Sequence, residues 1–220
     1  LTGISAVLMP RFSYLFSEDN KSEIKKLSRQ FLNVTFLISV PCCCGIILVA
    51  DQIVEVLFGV EFLPAISTIR ILSILIVLMP LSGGVFCQLL LTAGKEKSYL
   101  ACVLIGTVVN AVLNYPLIPT FTQNGAAIAS VVAEFTVSIS MIVATRRTIK
   151  VNMCCRDVFS ILTSAFFMSL TLVLCHKLFF GQAVWMRLLV EIVIAVLVYF
   201  LCVFMLKNSA SSKIIRMIKK

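Results

Sequence analysis

The sequence predicts an all-α fold, a polytopic transmembrane helical bundle with six full spans and one partial span. Hydrophobic residues make up 60% of the chain and charged residues only 13%, whereas roughly a quarter of the residues in an average soluble protein are charged. The mean hydropathy is correspondingly high, at +1.06. The apolar residues also form long runs with short connections, and a helix needs about 20 of them to cross a bilayer core of about 30 Å. Composition and run length together exclude an ordinary soluble domain.

Four segments divide the chain. Residues 1–15 are predicted to be the end of a truncated transmembrane helix, and residues 16–30 a cytoplasmic loop. Residues 31–206 hold the six-helix transmembrane bundle, and residues 207–220 form a basic cytoplasmic tail. The six full spans are predicted at about 31–50, 64–93, 98–118, 125–145, 158–175 and 184–206. Because the chain begins inside an apolar pattern, with neither Met nor a signal segment, we expect it to be part of a longer protein.

The second span carries the clearest local signal. It is about 29 residues long, more than a crossing requires, and it contains Pro80 and the pair Gly83-Gly84. Proline removes a backbone hydrogen bond inside a helix. We therefore expect this span to be broken or strongly kinked.

Lysine and arginine follow the pattern of a multi-pass membrane protein. The basic loops are those at 18–29, 94–97, 146–157 and 207–220, and the loops at 51–63, 119–124 and 178–183 contain no Lys or Arg. Cytoplasmic loops carry the excess of these residues, so the C-terminus is predicted to be cytoplasmic. The net charge of +9 is explained by this topology and by attraction to anionic lipids, and nucleic acid is not an expected partner.

The residue types needed for catalysis are not arranged as a site. The sequence has no nucleophile constellation, phosphate loop or metal-ligand spacing. Most of the nine cysteines fall inside apolar runs, and Cys154-Cys155 has no partner pair at zinc-ligand spacing. We predict that the protein is not an enzyme and binds no cofactor or metal.

Glu134 is the sharpest candidate for function. It is the tenth residue of a predicted span of about 21, so it lies near the bilayer midplane, where an ionisable group is costly. Ser130 and Ser138 stand one turn away on either side, which makes a polar stripe facing other helices or a wet cavity. Two interpretations stay open: Glu134 exchanges a proton or contacts a cation during transport, or it is a hydrogen-bonded strut between helices.

Four other polar residues are candidates for a substrate path. Asn110 and Asn114 stand i, i+4 on the third span, where amides can bridge helices or line a path for sugars. Gln88 follows the Pro80 break, where freed backbone groups can bind ligands in transporters. Arg70 lies about 9 Å from the outer end of its span, so its side chain can also reach the interface. Each of these residues has an ordinary packing or interface role as its alternative.

The ionisable residues of the last two spans receive structural interpretations. His176 stands beside Lys177 at a span end and is predicted to be an interface residue. Arg187 and Glu191 are i, i+4 on the last span and are predicted to pair within that helix, with little further role.

The fourth span also has a packing signal. Small residues recur at four-residue spacing, at Gly125, Ala129 and Ala133. This pattern lets helix backbones approach closely, which predicts a central place for the span in the bundle.

Several short motifs occur along the first 130 residues. They are VLMPRFS at 7–13, VLFG at 56–59, LLTAGKEK at 90–97, NAVLN at 110–114 with LIP at 117–119, and GAAIA at 125–129. In this order and spacing, they resemble the C-terminal half of bacterial O-antigen and polysaccharide flippases. These flippases belong to the multidrug, oligosaccharidyl-lipid and polysaccharide exporter superfamily, which also holds the peptidoglycan-precursor flippase. The resemblance covers about residues 1–150.

The resemblance implies a longer bacterial inner-membrane protein of two helical bundles around a central cavity. It would move undecaprenyl-pyrophosphate-linked O-antigen or polysaccharide units across the membrane by alternating access. Its partners would be the bilayer and the lipid-linked oligosaccharide, with a polysaccharide polymerase and chain-length proteins as further candidates. Two alternatives remain, a cation-coupled multidrug extruder of the same superfamily and a membrane scaffold that transports nothing. A multidrug extruder would be expected to carry several acidic residues deep in the membrane. A scaffold would not need polar groups at the bilayer midplane on three successive spans.

Overall fold

The computed structural model describes residues 2–146, 148–151, 154–178, 183–206 and 208–209, with side chains from residue 8 onward. Apart from residues 208 and 209, the predicted tail at 207–220 lies outside the described residues, as do residues 179–182 of the predicted 178–183 loop. The described chain forms helices joined by short turns and contains no β-strand. The all-α prediction is confirmed.

The helices follow one another closely along the chain. In order they are α1 (Thr2–Ser17), α2 (Lys21–Leu57), a 3-10 helix (Val60–Ala65), α3 (Ile66–Leu72), α4 (Leu75–Met79), a π-helix (Pro80–Phe86), α5 (Cys87–Thr92), α6 (Glu96–Phe121), α7 (Gln123–Arg146), α8 (Cys155–Leu178) and α9 (Val184–Met205). Among the described residues, six segments are long and apolar enough to cross a membrane: α2, the composite segment Val60–Thr92, α6, α7, α8 and α9. These are the six predicted full spans, and α1 matches the predicted partial one.

The chain divides into two compact units. The first unit takes in the described residues within Leu1–Thr35 and Ile74–Met153, and the second those within Phe36–Ser73 and Cys154–Lys220. Helix α2 therefore contributes its first part to one unit and its remainder to the other.

Helix α2 begins ten residues before the predicted first span at 31–50. The Asn20 side-chain oxygen accepts the backbone N–H of Glu23 at 3.2 Å, which satisfies one of the free donors of the first turn. Ile24 and Leu27 are buried on the same polar segment. The helix thus has a capped start and an apolar face before its continuous apolar run, and a search for apolar runs does not detect that face.

The predicted break in the second span is confirmed. Pro80 opens the π-helix at Pro80–Phe86, and the N–H of Cys87 bonds the carbonyl of Ser82, five residues earlier. Such single-turn π segments inside longer helices are frequent at functional sites. Here it separates the short helices α4 and α5 within one composite span.

Helices α6 and α7 pack closely in the first unit. A Cβ atom on Gly125 would lie 2.0 Å from the carbonyl oxygen of Leu117, and one on Gly106 would lie 2.1 Å from the Val137 side chain. Helix α7 also contacts α4, the π-helix and α5, so it has a central place within the first unit, in line with the prediction from its small residues. Helix α6 continues to Phe121, through the two prolines near which its span was predicted to end.

The second unit has an apolar core formed by the later part of α2 with α8 and α9. Its buried members are Leu37, Val49, Ile161, Ala165, Met168, Leu172, Leu188, Ala195, Tyr199 and Val203. The Tyr199 hydroxyl donates to the carbonyl oxygen of Leu37 at 2.8 Å, so the polar end of this buried ring is satisfied. Val49 departs from helical dihedral angles, with φ of −107° and ψ of 16°, and marks a kink in α2.

Candidate functional site

A polar cavity of about 560 Å³ lies within the first unit. Its walls come from α4, the π-helix, α6 and α7. Its polar lining residues are Ser82, Tyr99, Thr107, Asn110, Ser130 and Glu134. The remaining lining side chains are mostly apolar, so the cavity presents a small set of hydrogen-bonding groups on an apolar wall, as ligand sites commonly do.

Glu134 is half-buried at the edge of this cavity. It lies eleven residues after Gln123 and twelve before Arg146, the two ends of α7, so it is central in its span as predicted. The Ser82 hydroxyl donates to its Oε1 atom. No Lys or Arg of the described chain forms a salt bridge with this carboxyl group. Glu134 therefore faces the cavity with a hydroxyl partner and without a compensating positive charge.

Ser82 was not identified from the sequence as the partner of Glu134. Ser130 donates instead to the carbonyl of Ala126 at 2.9 Å. Ser138 donates to the carbonyl of Leu78 at 3.5 Å, so the serine stripe does face a neighbouring helix. The π-helix places Ser82 opposite α7, and the Pro80 break was the only sequence signal that pointed to this segment.

One of the other candidates on α6 lines the cavity, and a second is hydrogen-bonded to it. Asn110 lines the cavity with Glu134. Asn114 donates from Nδ2 to the Oδ1 atom of Asn110 at 2.9 Å. The structure therefore connects Asn114 to the cavity through Asn110.

The remaining two candidates do not join this site. Gln88 lies on α5 and does not line the cavity, and its buried side-chain oxygen has no hydrogen-bond partner among the described residues. Arg70 belongs to the second unit. Its side chain is exposed, and Nε donates to the carbonyl of Ile47 at 3.1 Å.

A buried polar network in the second unit was missed by sequence reasoning. The Nε atom of Arg187 lies 3.2 Å from Oε1 of Glu191, which confirms their predicted pairing. Gln52 on α2 contacts both α9 and α8. Its Nε2 atom lies 2.7 Å from Oε2 of Glu191 and 3.0 Å from Nδ1 of His176. Arg187 Nη2 also lies 2.7 Å from that histidine nitrogen.

This network connects α2, α8 and α9. Glu191 is fully buried, and Gln52 and Arg187 are 2% and 8% exposed. The sequence does not predict this network for two reasons. The apolar pattern places Gln52 in the 51–63 loop, although α2 continues to Leu57, and the position of His176 at a span end indicates an interface residue. The available signal was an acid and a base inside one otherwise apolar span.

The fold and the six apolar helices of membrane-spanning length among the described residues define a polytopic helical membrane protein. The family model described as lipid II flippase MurJ matches residues 1–200. The chain belongs to this family.

A solved structure supports the fold. The chain is similar to a lipid II flippase MurJ in an inward closed conformation, with a TM-score of 0.73 and 15% sequence identity. The match covers 98% of this chain and 43% of that one, so the chain spans less than half the length of its structural neighbour. No curated protein gives a significant match.

The family match confirms the predicted superfamily. It also confirms that the chain belongs to a family of flippases for lipid-linked substrates, which are transporters and not enzymes. Within the superfamily, the matching family is the lipid II flippases and not the O-antigen flippases that the motifs resemble.

Proposed function

We propose that the chain is part of a flippase that moves a lipid-linked glycan precursor across the bacterial inner membrane, and that its substrate is lipid II, the peptidoglycan precursor. The observation that carries this proposal is the match of the lipid II flippase family over residues 1–200. The match covers five of the six candidate spans and most of the last one, Val184–Met205, so it does not depend on one short motif.

The cavity of the first unit supports this function chemically. Its hydroxyl and amide groups can hydrogen-bond a glycan or a peptide, while a lipid tail would remain in the bilayer. We propose Asn110, Asn114 and Glu134 as residues of the substrate path, with Glu134 exchanging a proton or contacting a cation during transport. Gln88 and Arg70 remain candidates without a contact to the cavity. The other walls of a complete substrate path would come from the rest of a longer protein.

The loop charges support an orientation with the C-terminus in the cytoplasm, since the basic loops alternate with loops that lack Lys and Arg. An O-antigen or polysaccharide unit is the second candidate substrate, because the five sequence motifs resemble that branch. A polysaccharide polymerase and chain-length proteins would be partners only in that case.

The test is complementation by the full-length protein in two strains. One strain can be depleted of its own lipid II flippase, and the other lacks its O-antigen flippase. We expect restored growth in the first and no surface O-antigen in the second. The 220-residue chain alone should insert into the membrane but restore neither, because it spans 43% of its structural neighbour. Restored O-antigen without restored growth would overturn the lipid II assignment, and failure in both strains despite normal membrane abundance would overturn the flippase proposal.

A further inference from the structure

A basic cavity of about 520 Å³ lies at one end of the first unit. It is lined by Ser22, Lys25, Lys26, Arg29 and Lys150. Four of these five residues are cationic and none is acidic. Its volume falls within the range of about 300–1,000 Å³ that is common for ligand sites.

Most of the positive charge in this cavity is uncompensated. Lys26 pairs with Glu23 at 2.9 Å. Within the described part of the chain, no salt bridge involves Lys25, Arg29 or Lys150. These three side chains come from two distant segments, the start of α2 and the turn after α7, and they line one concavity. Like charges converging in this way repel one another unless an anion lies between them.

The position of the cavity along α2 indicates which anion it meets. Arg29 stands two residues before Phe31, the start of the continuous apolar run, which is about 3 Å along a helix. Arg29 is therefore expected at the level of the lipid phosphates, and Lys25, about 9 Å before the apolar run, is within reach of them through its long side chain. Both contributing segments belong to loops predicted to be cytoplasmic, at 18–29 and 146–157, and the structure brings them together.

We propose that this basic cavity is a binding site for the phosphate group of an anionic lipid headgroup in the cytoplasmic leaflet. The guanidinium group of Arg29 can make two parallel hydrogen bonds to phosphate oxygens. Lys25 and Lys150 contribute charge from the two sides, and the Ser22 hydroxyl adds a donor. The site is separate from the polar cavity around Glu134, and its occupation does not depend on the transport of lipid II.

The experiment measures binding of fluorescent short-chain phosphatidylglycerol to the full-length protein in neutral detergent. The cavity variant is Lys25→Gln/Arg29→Gln. The matched control is Lys95→Gln/Lys97→Gln, which removes the same charge from another loop predicted to be cytoplasmic. Because the cavity variant loses two charge-assisted contacts to the phosphate, it should bind at least about ten-fold more weakly, while the control, whose lysines lie outside the cavity, changes little. Lys150→Gln alone should weaken binding by a smaller factor, roughly three- to ten-fold.

Two outcomes would overturn the proposal. Equal losses in the cavity variant and the control would mean diffuse surface attraction without a site. Competition by inorganic pyrophosphate at concentrations as low as those of the lipid would assign the site to a soluble anion instead. All the substituted side chains except Lys95 are exposed, and size-exclusion profiles identical to wild type would show that the variants fold.

Discussion

Removing one member of the buried Arg187–Glu191 pair should destabilise the second unit strongly. Glu191 lies seven residues into α9, about 10 Å from the helix start at 1.5 Å per residue. Substitution by Leu would leave the guanidinium of Arg187 buried without its carboxylate partner. Arg187→Met would leave the Glu191 carboxylate with Gln52 as its neutral partner. Breaking a buried ion pair in this way costs about 3–5 kcal/mol.

The double variant should behave differently. Replacing a buried ion pair by apolar side chains of similar size is often neutral or stabilising, and Gln52 and His176 can still bond each other at 3.0 Å. We therefore expect Arg187→Met/Glu191→Leu to cost less than either single change. The difference would give the coupling free energy of the pair.

Thermal unfolding of the full-length protein in detergent, followed by circular dichroism, would measure these effects. The shift of Tm per kcal/mol becomes smaller as the chain becomes longer, so in the full-length protein each single variant should lower Tm by roughly 3–10 °C. Lys177→Met is the control, because it removes an exposed charge beside His176 and should change stability by no more than about 0.5 kcal/mol. Single variants as stable as this control, or costs that add in the double variant, would refute the argument.

Two further predictions concern Glu134 and Gly125 of the first unit, the latter with a control at Gly45 of the second unit. Glu134→Gln keeps the size and the hydrogen-bonding groups but cannot release a proton, so it should abolish complementation by the full-length protein at unchanged membrane abundance, whereas Glu134→Asp should keep part of it. Equal complementation by wild type and Glu134→Gln would favour the strut. Gly125→Ala should destabilise by about 1–3 kcal/mol, because its Cβ would lie 2.0 Å from the Leu117 carbonyl. Gly45→Ala is the control, because a Cβ there meets open space; it should stabilise helix α2 by up to about 1 kcal/mol. If both substitutions stabilised the protein, or both destabilised it, the packing argument would be wrong.

The sequence was sufficient for features that depend on local pattern. Span number follows from apolar run length, and the break at Pro80 follows from the missing N–H of proline. The close approach of α7 at Gly125 follows from small residues at one-turn spacing. Each of these signals lies within one helix, so no knowledge of tertiary neighbours was needed.

The features that were missed depend on which helices meet. Nothing in the local sequence pairs Ser82 with Glu134, 52 residues later, or Gln52 with Glu191, 139 residues later. Helix ends are a second limit, since polar turns such as those at the start of α2 lack an apolar run. The other end of α2 also extends beyond the predicted span, to Leu57. Gln52 therefore lies on the helix and not in the predicted loop.

The hydroxyl of Ser82 bears on the two interpretations of Glu134. It has one proton, but besides the Glu134 carboxylate it lies 3.2 Å from the carbonyl oxygen of Leu78 and 3.3 Å from that of Met79. If Glu134 released it, the hydroxyl could still donate to either carbonyl, so the large cost of a buried unsatisfied donor would not arise. Serines in helices commonly bond such carbonyls, so the two alternative acceptors do not by themselves decide between the interpretations. They remove one objection to a transport role, because Glu134 borders the cavity and its contact with Ser82 can break without leaving the hydroxyl unsatisfied.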